Sequence, residues 1–273
     1  MRAVFRGLPT SDGAGVRLTR IVGQEALPDL DPFLLLDEFG SDDPKAYVAG
    51  FPEHPHRGFE TVTYMLAGRM RHRDNQGNSG LLTAGSVQWM TAGRGIVHSE
   101  MPEQEEGLMQ GFQLWVNLPA SDKMTAPRYQ DIAPERIPTV AFEGGSVRVL
   151  AGRYGDTEGP VSGISVDPVY LDVTLDPGAS FHTALPAGHT VFLYVFEGAL
   201  VSGDEPSQQV ERGELAVLGS GDAVAARAGA SGARFILVAG RPLGEPIARY
   251  GPIVMNTRAE LQRAFDDLRN GTF

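Results

Sequence analysis

Two short segments carry the residues best suited to chemistry. Glu53-His54-Pro55-His56-Arg57-Gly58-Phe59-Glu60 offers an H-x-H pair followed by a carboxylate, and Val97-His98-Ser99-Glu100 offers a second pair one residue apart. Three of the chain's six histidines lie in these segments. In an extended strand, residues i and i+2 point to the same face, so each pair can aim both side chains at one point. Facing strands would then close three imidazoles and one carboxylate around a metal ion. That donor set suits Fe, Mn, Ni, Cu or Zn, and four protein ligands leave positions for substrate or dioxygen on a six-coordinate ion. From spacing alone the carboxylate is Glu100 or Glu60. Glu60 shares the face of His56 only if the strand runs unbroken through Gly58.

The other candidates read more plainly. His72 sits in a basic hairpin with Arg69, Arg71 and Arg73 and is expected on a solvated face. His182 and His189 have no second pair after them and are expected to be structural or surface residues. Trp89, Trp115 and Tyr64 are expected to be core aromatics. Arg57 and Arg94 flank the ligand segments, and either could pair with a local carboxylate or guide an anionic substrate. Glu103, Glu105 and Glu106 are expected to form a solvated loop.

The elements that must hold this site are strands. The chain has 273 residues, 34 glycines and 19 prolines, spread along its length as in many short strands joined by tight turns. Val16–Ile21 alternates, Pro32–Leu36 is continuously apolar, and Gly111–Leu118 sets Phe112, Leu114, Val116 and Leu118 against Gln113, Trp115 and Asn117. Residues 126–138, with three prolines, read as a linker. Further strands are expected near 146–151, 169–175, 190–197, 214–218 and 233–239. The two halves repeat a pattern: strands open at Thr61-Val62 and Thr190-Val191, and Gly85/Gly93 have the separation of Gly213/Gly221. The chemistry is not repeated, since no histidine follows His189. Thr257-Arg-Ala-Glu260 is a capping box for one terminal helix, expected over 257–270, with Gly271 as its stop. The expected division is therefore 1–130 and 131–273, with the helix in the second domain.

Charge and composition narrow the function. The net charge of -11 and the absence of a Lys/Arg run argue against direct nucleic-acid binding. With no cysteine there is no disulfide, thiolate ligand or cysteine nucleophile. No apolar run is long enough for a signal peptide or a membrane helix, so a soluble, cytoplasmic protein is expected.

His54-Pro-His-Arg-Gly-Phe-Glu-Thr-Val-Thr-Tyr64, Gly93-Arg-Gly-Ile-Val-His-Ser-Glu100 and Gly111-Phe-Gln-Leu-Trp-Val-Asn-Leu-Pro119 together resemble the pirin family. The resemblance extends to Phe33-Leu-Leu-Leu-Asp-Glu-Phe39 and Gly251-Pro-Ile-Val-Met-Asn-Thr257, and so spans the chain. It implies an all-β bicupin: two tandem jelly-roll-like barrels and a short C-terminal helix. It implies one metal, usually iron, on His54, His56, His98 and Glu100, and a second barrel without metal. It further implies a quercetin 2,3-dioxygenase-like activity on a flavonol and dioxygen, releasing carbon monoxide; in such a reaction Glu100, on the open site, is the expected acceptor of the flavonol proton. The family's other described role is a non-enzymatic, redox-sensing regulator that works through protein partners. A monomer is expected.

Overall fold

The computed structural model describes residues 1–202 and 208–273. In chain order the strands of the first half are β1 Ala3–Arg6, β2 Leu8–Asp12, β3 Val16–Val22, β4 Phe33–Ser41, β5 Phe51–His56, β6 Phe59–Ala67, β7 Met70–Asp74, β8 Ser79–Leu82, β9 Val87–Thr91, β10 Ile96–Pro102, β11 Met109–Asn117 and β12 Arg128–Ile132. Then follow β13 Thr139–Phe142, β14 Gly145–Ala151, β15 Arg153–Tyr154, β16 Thr157–Glu158, β17 Val169–Leu175, β18 Ser180–Ala184, β19 Thr190–Ser202, β20 Gln208–Glu211, β21 Glu214–Val217 and β22 Ala223–Gly240. β23 Ala248–Tyr250, β24 Ile253–Met255 and helix α1 Arg258–Asn270 close the chain.

The chain forms two compact units, and both of its ends change sides. One unit, here the site unit, is Leu8–Pro134 with Leu243–Phe273; the second unit is Met1–Gly7 with Glu135–Pro242. The crossing between the units falls at Pro134/Glu135, and helix α1 lies in the site unit. β1 leaves the first half because its backbone pairs with edge strand β21. The last thirty-odd residues join the site unit because Arg57 bridges Ile253 and because Leu261 and Phe265 pack with Ile253, Met255 and Ala264. The expected linker is also only partly loop, since β12 pairs with β9 at Arg128↔Thr91 through Ile132↔Val87.

Within the site unit two larger sheets form beside the two-stranded pair β23-β24. One has the order β12-β9-β6-β11-β4-β3-β2, and the other has the order β5-β10-β7-β8. The second unit repeats the larger order as β1-β21-β19-β22-β17-β14-β13, with β18 on β22 and β20 on β19. Its interior is apolar: Val147, Val173, Phe181, Val195, Leu200 and Phe235 belong to one buried cluster. In the site unit the alternation of β11 buries Phe112, Leu114 and Val116 and leaves Gln113 and Trp115 half-buried on the opposite face. Helix α1 begins as the sequence indicates. The Thr257 hydroxyl accepts from Glu260 N–H, the Glu260 carboxylate returns the bond, and Gly271 ends the helix at φ 69°.

Candidate metal centre

The four-stranded sheet builds the centre. β5 and β10 run antiparallel with His54 opposite His98 and His56 opposite Ile96. His54 and His98 thus share a face directly, and the period of two brings His56 to it as well. The result is close convergence: His54 Nε2 lies 2.9 Å from His56 Nε2 and 3.0 Å from His98 Nε2. One donor nitrogen from each of the three rings fits within 4.8 Å of the others.

These distances fit a metal ion. Two imidazole nitrogens at about 2.1 Å from one ion and at right angles stand about 3.0 Å apart. The charge state fits too. Burial, and then the neighbouring histidines, push the proton affinities of His56 and His98 well below the ordinary range, so both rings are neutral and free to ligate. His56 is 1% exposed and His98 0%. The second nitrogens of these rings, Nδ1 in both, are buried without a full hydrogen bond, although the Pro252 carbonyl lies close enough to His56 to raise its proton affinity. The His54 ring faces the Pro52 carbonyl through Nδ1 at 2.8 Å, which turns Nε2 toward the cluster.

The carboxylates separate cleanly. Glu100 is 4% exposed, and its Oε2 stands 4.0 Å from His98 Nε2. Thr63 Oγ1 lies 3.0 Å from Glu100 Oε1 and 2.7 Å from Gln113 Oε1. One hydroxyl proton cannot serve both acceptors, and turning the Gln113 amide over supplies a donor to Thr63 and frees that proton for Glu100. Burial pushes the Glu100 carboxyl up, opposed by His54 and the Thr63 hydroxyl. Glu60 is turned elsewhere: it accepts from Thr91 Oγ1 at 2.6 Å, and burial pushes its carboxyl up to about 7. Gly58, at φ 84°, breaks the strand between His56 and Glu60, so the unbroken parity that would place both on one face fails.

Other residues also stand apart from their expectations. His72 is 1% exposed rather than solvated, because β7 alternates and turns Met70 and His72 inward. It is paired in register with Glu100, stacks on Tyr129 and has its Nε2 3.2 Å from Asp131. Trp115 is not a core aromatic. It meets His56 edge-on at 5.4 Å and lines the cavity above the histidines. That cavity has a volume of about 510 Å³ and is bounded by Leu35, Phe39, Phe51, Met70, Gln113 and Trp115, with His54, His56 and Glu100 at its floor. Arg249 lies over the Trp115 ring and also faces the cavity. Arg57 pairs with Asp267, while Arg94 is exposed. Glu103 is engaged by Arg71 and so is not a free acidic group. Arg249 escaped the sequence reading because β23 is remote in sequence from the histidines, and the cavity role of Gln113 and Trp115 was signalled only by the polar residues on the face of β11 opposite its apolar ones.

The chain matches known proteins along its whole length. Residues 15–116 match the Pirin family model and residues 170–273 match the Pirin C-terminal cupin domain. A Pseudomonas aeruginosa protein named "Putative quercetin 2,3-dioxygenase" is 52% identical over 270 residues, covering 97% of this chain and 94% of that protein. Human pirin is 45% identical over 263 residues, covering 95% of this chain and 89% of that one. A crystal structure of quercetin 2,3-dioxygenase from Acinetobacter baumannii superposes with a TM-score of 0.91 at 36% identity, covering 99% and 96% of the two chains. Two cupin units, one of which gathers three histidines beside a cavity, agree with these matches in fold and extent: the chain belongs to the pirin family.

Proposed function

We propose that the protein is a metal-dependent dioxygenase that opens the heterocycle of a flavonol, quercetin or a close relative, with dioxygen and releases carbon monoxide. The observation that carries this reading is the convergence of three imidazole nitrogens at about the spacing of adjacent ligands, beside a cavity of about 510 Å³ that His54 and His56 line. His54, His56 and His98 would hold the ion, with Glu100 as the fourth ligand or as a base beside it. Iron is the metal expected, and Mn, Ni, Cu and Zn are compatible with the same donors. When bound, the ion supplies Lewis-acid binding of the substrate's oxygens and a place for dioxygen.

The chain's own residues account for the rest. Glu100 holds a raised proton affinity beside the histidines and can accept the proton of the 3-hydroxyl as the substrate enters. Thr63 fixes its orientation. Leu35, Phe51, Met70 and Trp115 give the planar rings apolar walls and exclude water from the reacting face. The names borne by the Pseudomonas and Acinetobacter proteins support this substrate class. The rival reading, a redox-reporting surface presented to a basic partner, is less supported, since Glu103 is already held by Arg71.

Aerobic incubation of iron-loaded protein with quercetin tests the proposal. Loss of the flavonol absorbance with formation of carbon monoxide is expected. No loss above that of His56→Ala would overturn it.

A further inference from the structure

The turn that follows His56 is fastened to the end of the chain by contacts that the proposed reaction does not use. Arg57 N–H donates to Pro252 O at 3.3 Å, and Val254 N–H donates to Arg57 O at 3.0 Å, making a parallel bridge between Arg57 and Ile253. Next in sequence, Gly58 O accepts from Lys123 Nζ at 2.8 Å. The same ammonium donates to Asn117 Oδ1 at 2.8 Å and to Val254 O at 3.1 Å. A Cβ at Gly58 would stand 1.9 Å from Val254 O, so the two backbones touch at this point. The Arg57 side chain is buried, donates to Asp267 Oδ2 at 2.7 Å and lies 4.3 Å from the centre of the Phe273 ring. Phe273 in turn packs on Gly95, three residues before His98, where an added Cβ would approach its ring to 2.8 Å.

Lys123 is the most telling of these residues. It is 1% exposed, and all three of its acceptors are neutral oxygens. An ammonium buried this way is costly, and the cost is offset only when all its protons are bonded. An apolar side chain would fill the space; it would not fix three oxygens from three segments at one point. Those segments are the turn after His56, the end of β11 that carries Trp115, and β24.

We infer that Lys123, together with the Arg57–Asp267 pair and Phe273, positions the metal centre, so that the segment from Pro252 to Phe273 is an outer layer of the site rather than only a cap on the fold. This rests on the metal reading of His54, His56 and His98. The pair sets the direction of the strand that presents His56, and Phe273 sets the turn that precedes His98.

Cobalt(II) binding to the full-length protein tests it, by competition with a chelating dye and by the visible bands of the bound ion. Lys123→Met should raise the Co2+ Kd about 10- to 100-fold and shift the bands, and Asp267→Asn and deletion of Thr272–Phe273 should act in the lower part of that range. Should Lys123→Met not fold, the other two variants decide the matter. Asp172→Asn, which breaks the ion pair with Arg234 in the second unit, serves as the stability control and should leave Kd and bands unchanged. The inference is overturned if the folded variants stay within about twofold of the parent with the same bands, or if the control weakens binding as much at equal loss of melting temperature. If the parent itself binds Co2+ no better than His98→Ala, the metal reading falls first, which is a separate result.

Discussion

The two units of this chain share a strand order and differ in what their inner faces carry. The pair β5–β10 in the site unit corresponds to β18 on the first part of β22 in the second, and β7–β10 corresponds to β19–β22. In register, the pairs His54–His98 and His56–Ile96 answer to Phe181–Ala226 and Thr183–Val224, and His72–Glu100 answers to Leu200–Ala228. Where one unit gathers imidazoles and a carboxylate, the other packs a phenyl ring, methyl groups and a leucine. The strand scaffold therefore does not depend on the donors. Apolar filling stabilises its unit directly, whereas buried histidines and Glu100 carry a desolvation cost that a bound ion would offset.

Replacing donors by their counterparts is the sharpest way to break this comparison. The triple change His54→Phe, His98→Ala and Glu100→Ala should abolish metal uptake, read by elemental analysis, while leaving a cooperative melting transition of at least the parent's midpoint. Loss of the transition would show that the donors also shape the fold. Next in size is Glu100→Gln. It should retain the metal on three histidines and lower the rate of quercetin loss by about 10²- to 10⁴-fold, the range for a removed general base. Unchanged turnover would make Glu100 a bystander.

Glu60 gives a smaller effect with a definite sign. Its carboxyl is raised in the fold from 4.5 to about 7, so its contribution to stability is fully present below pH 4.5 and is lost as pH rises through 7. Glu60→Gln, which keeps an acceptor for Thr91, should remove that loss. Relative to the parent, the variant should gain up to about 3 kcal/mol between pH 4.5 and pH 7 in denaturant titrations. A parallel pH dependence of the two proteins would show that Glu60 is not protonated in the fold. The smallest effect is at the helix cap. Thr257→Ala should cost about 1 kcal/mol of stability. Because α1 belongs to the site unit, that loss should appear in the site unit's hydrogen exchange and not in the second unit's.

Much of this was legible beforehand. The strands expected near 169–175, 190–197 and 214–218, observed at 169–175, 190–202 and 214–217, the capping box and the H-x-H and H-x-E pairs all follow from local rules of period and capping, which need no knowledge of neighbours. His72 misled because its flanking arginines suggest water, while its parity on β7 turns it inward. Trp115 misled because a large aromatic in a strand suggests the packed core, whereas the second face of β11 is the wall of a cavity.

By itself, then, the sequence determined the strand scaffold, the terminal helix and the pairing of the three histidines, since each is written in spacings of two to four residues. Only the tertiary structure turned Glu60 away from the histidines, through the break at Gly58 and the Thr91 hydrogen bond, and left Glu100 Oε2 4.0 Å from His98 Nε2. It alone placed the last thirty-odd residues beside His56, where Lys123 and Asp267 hold them. Those contacts join residues from about 130 to 210 positions apart, and their register depends on which strand edges were left to pair. No local pattern carries that information.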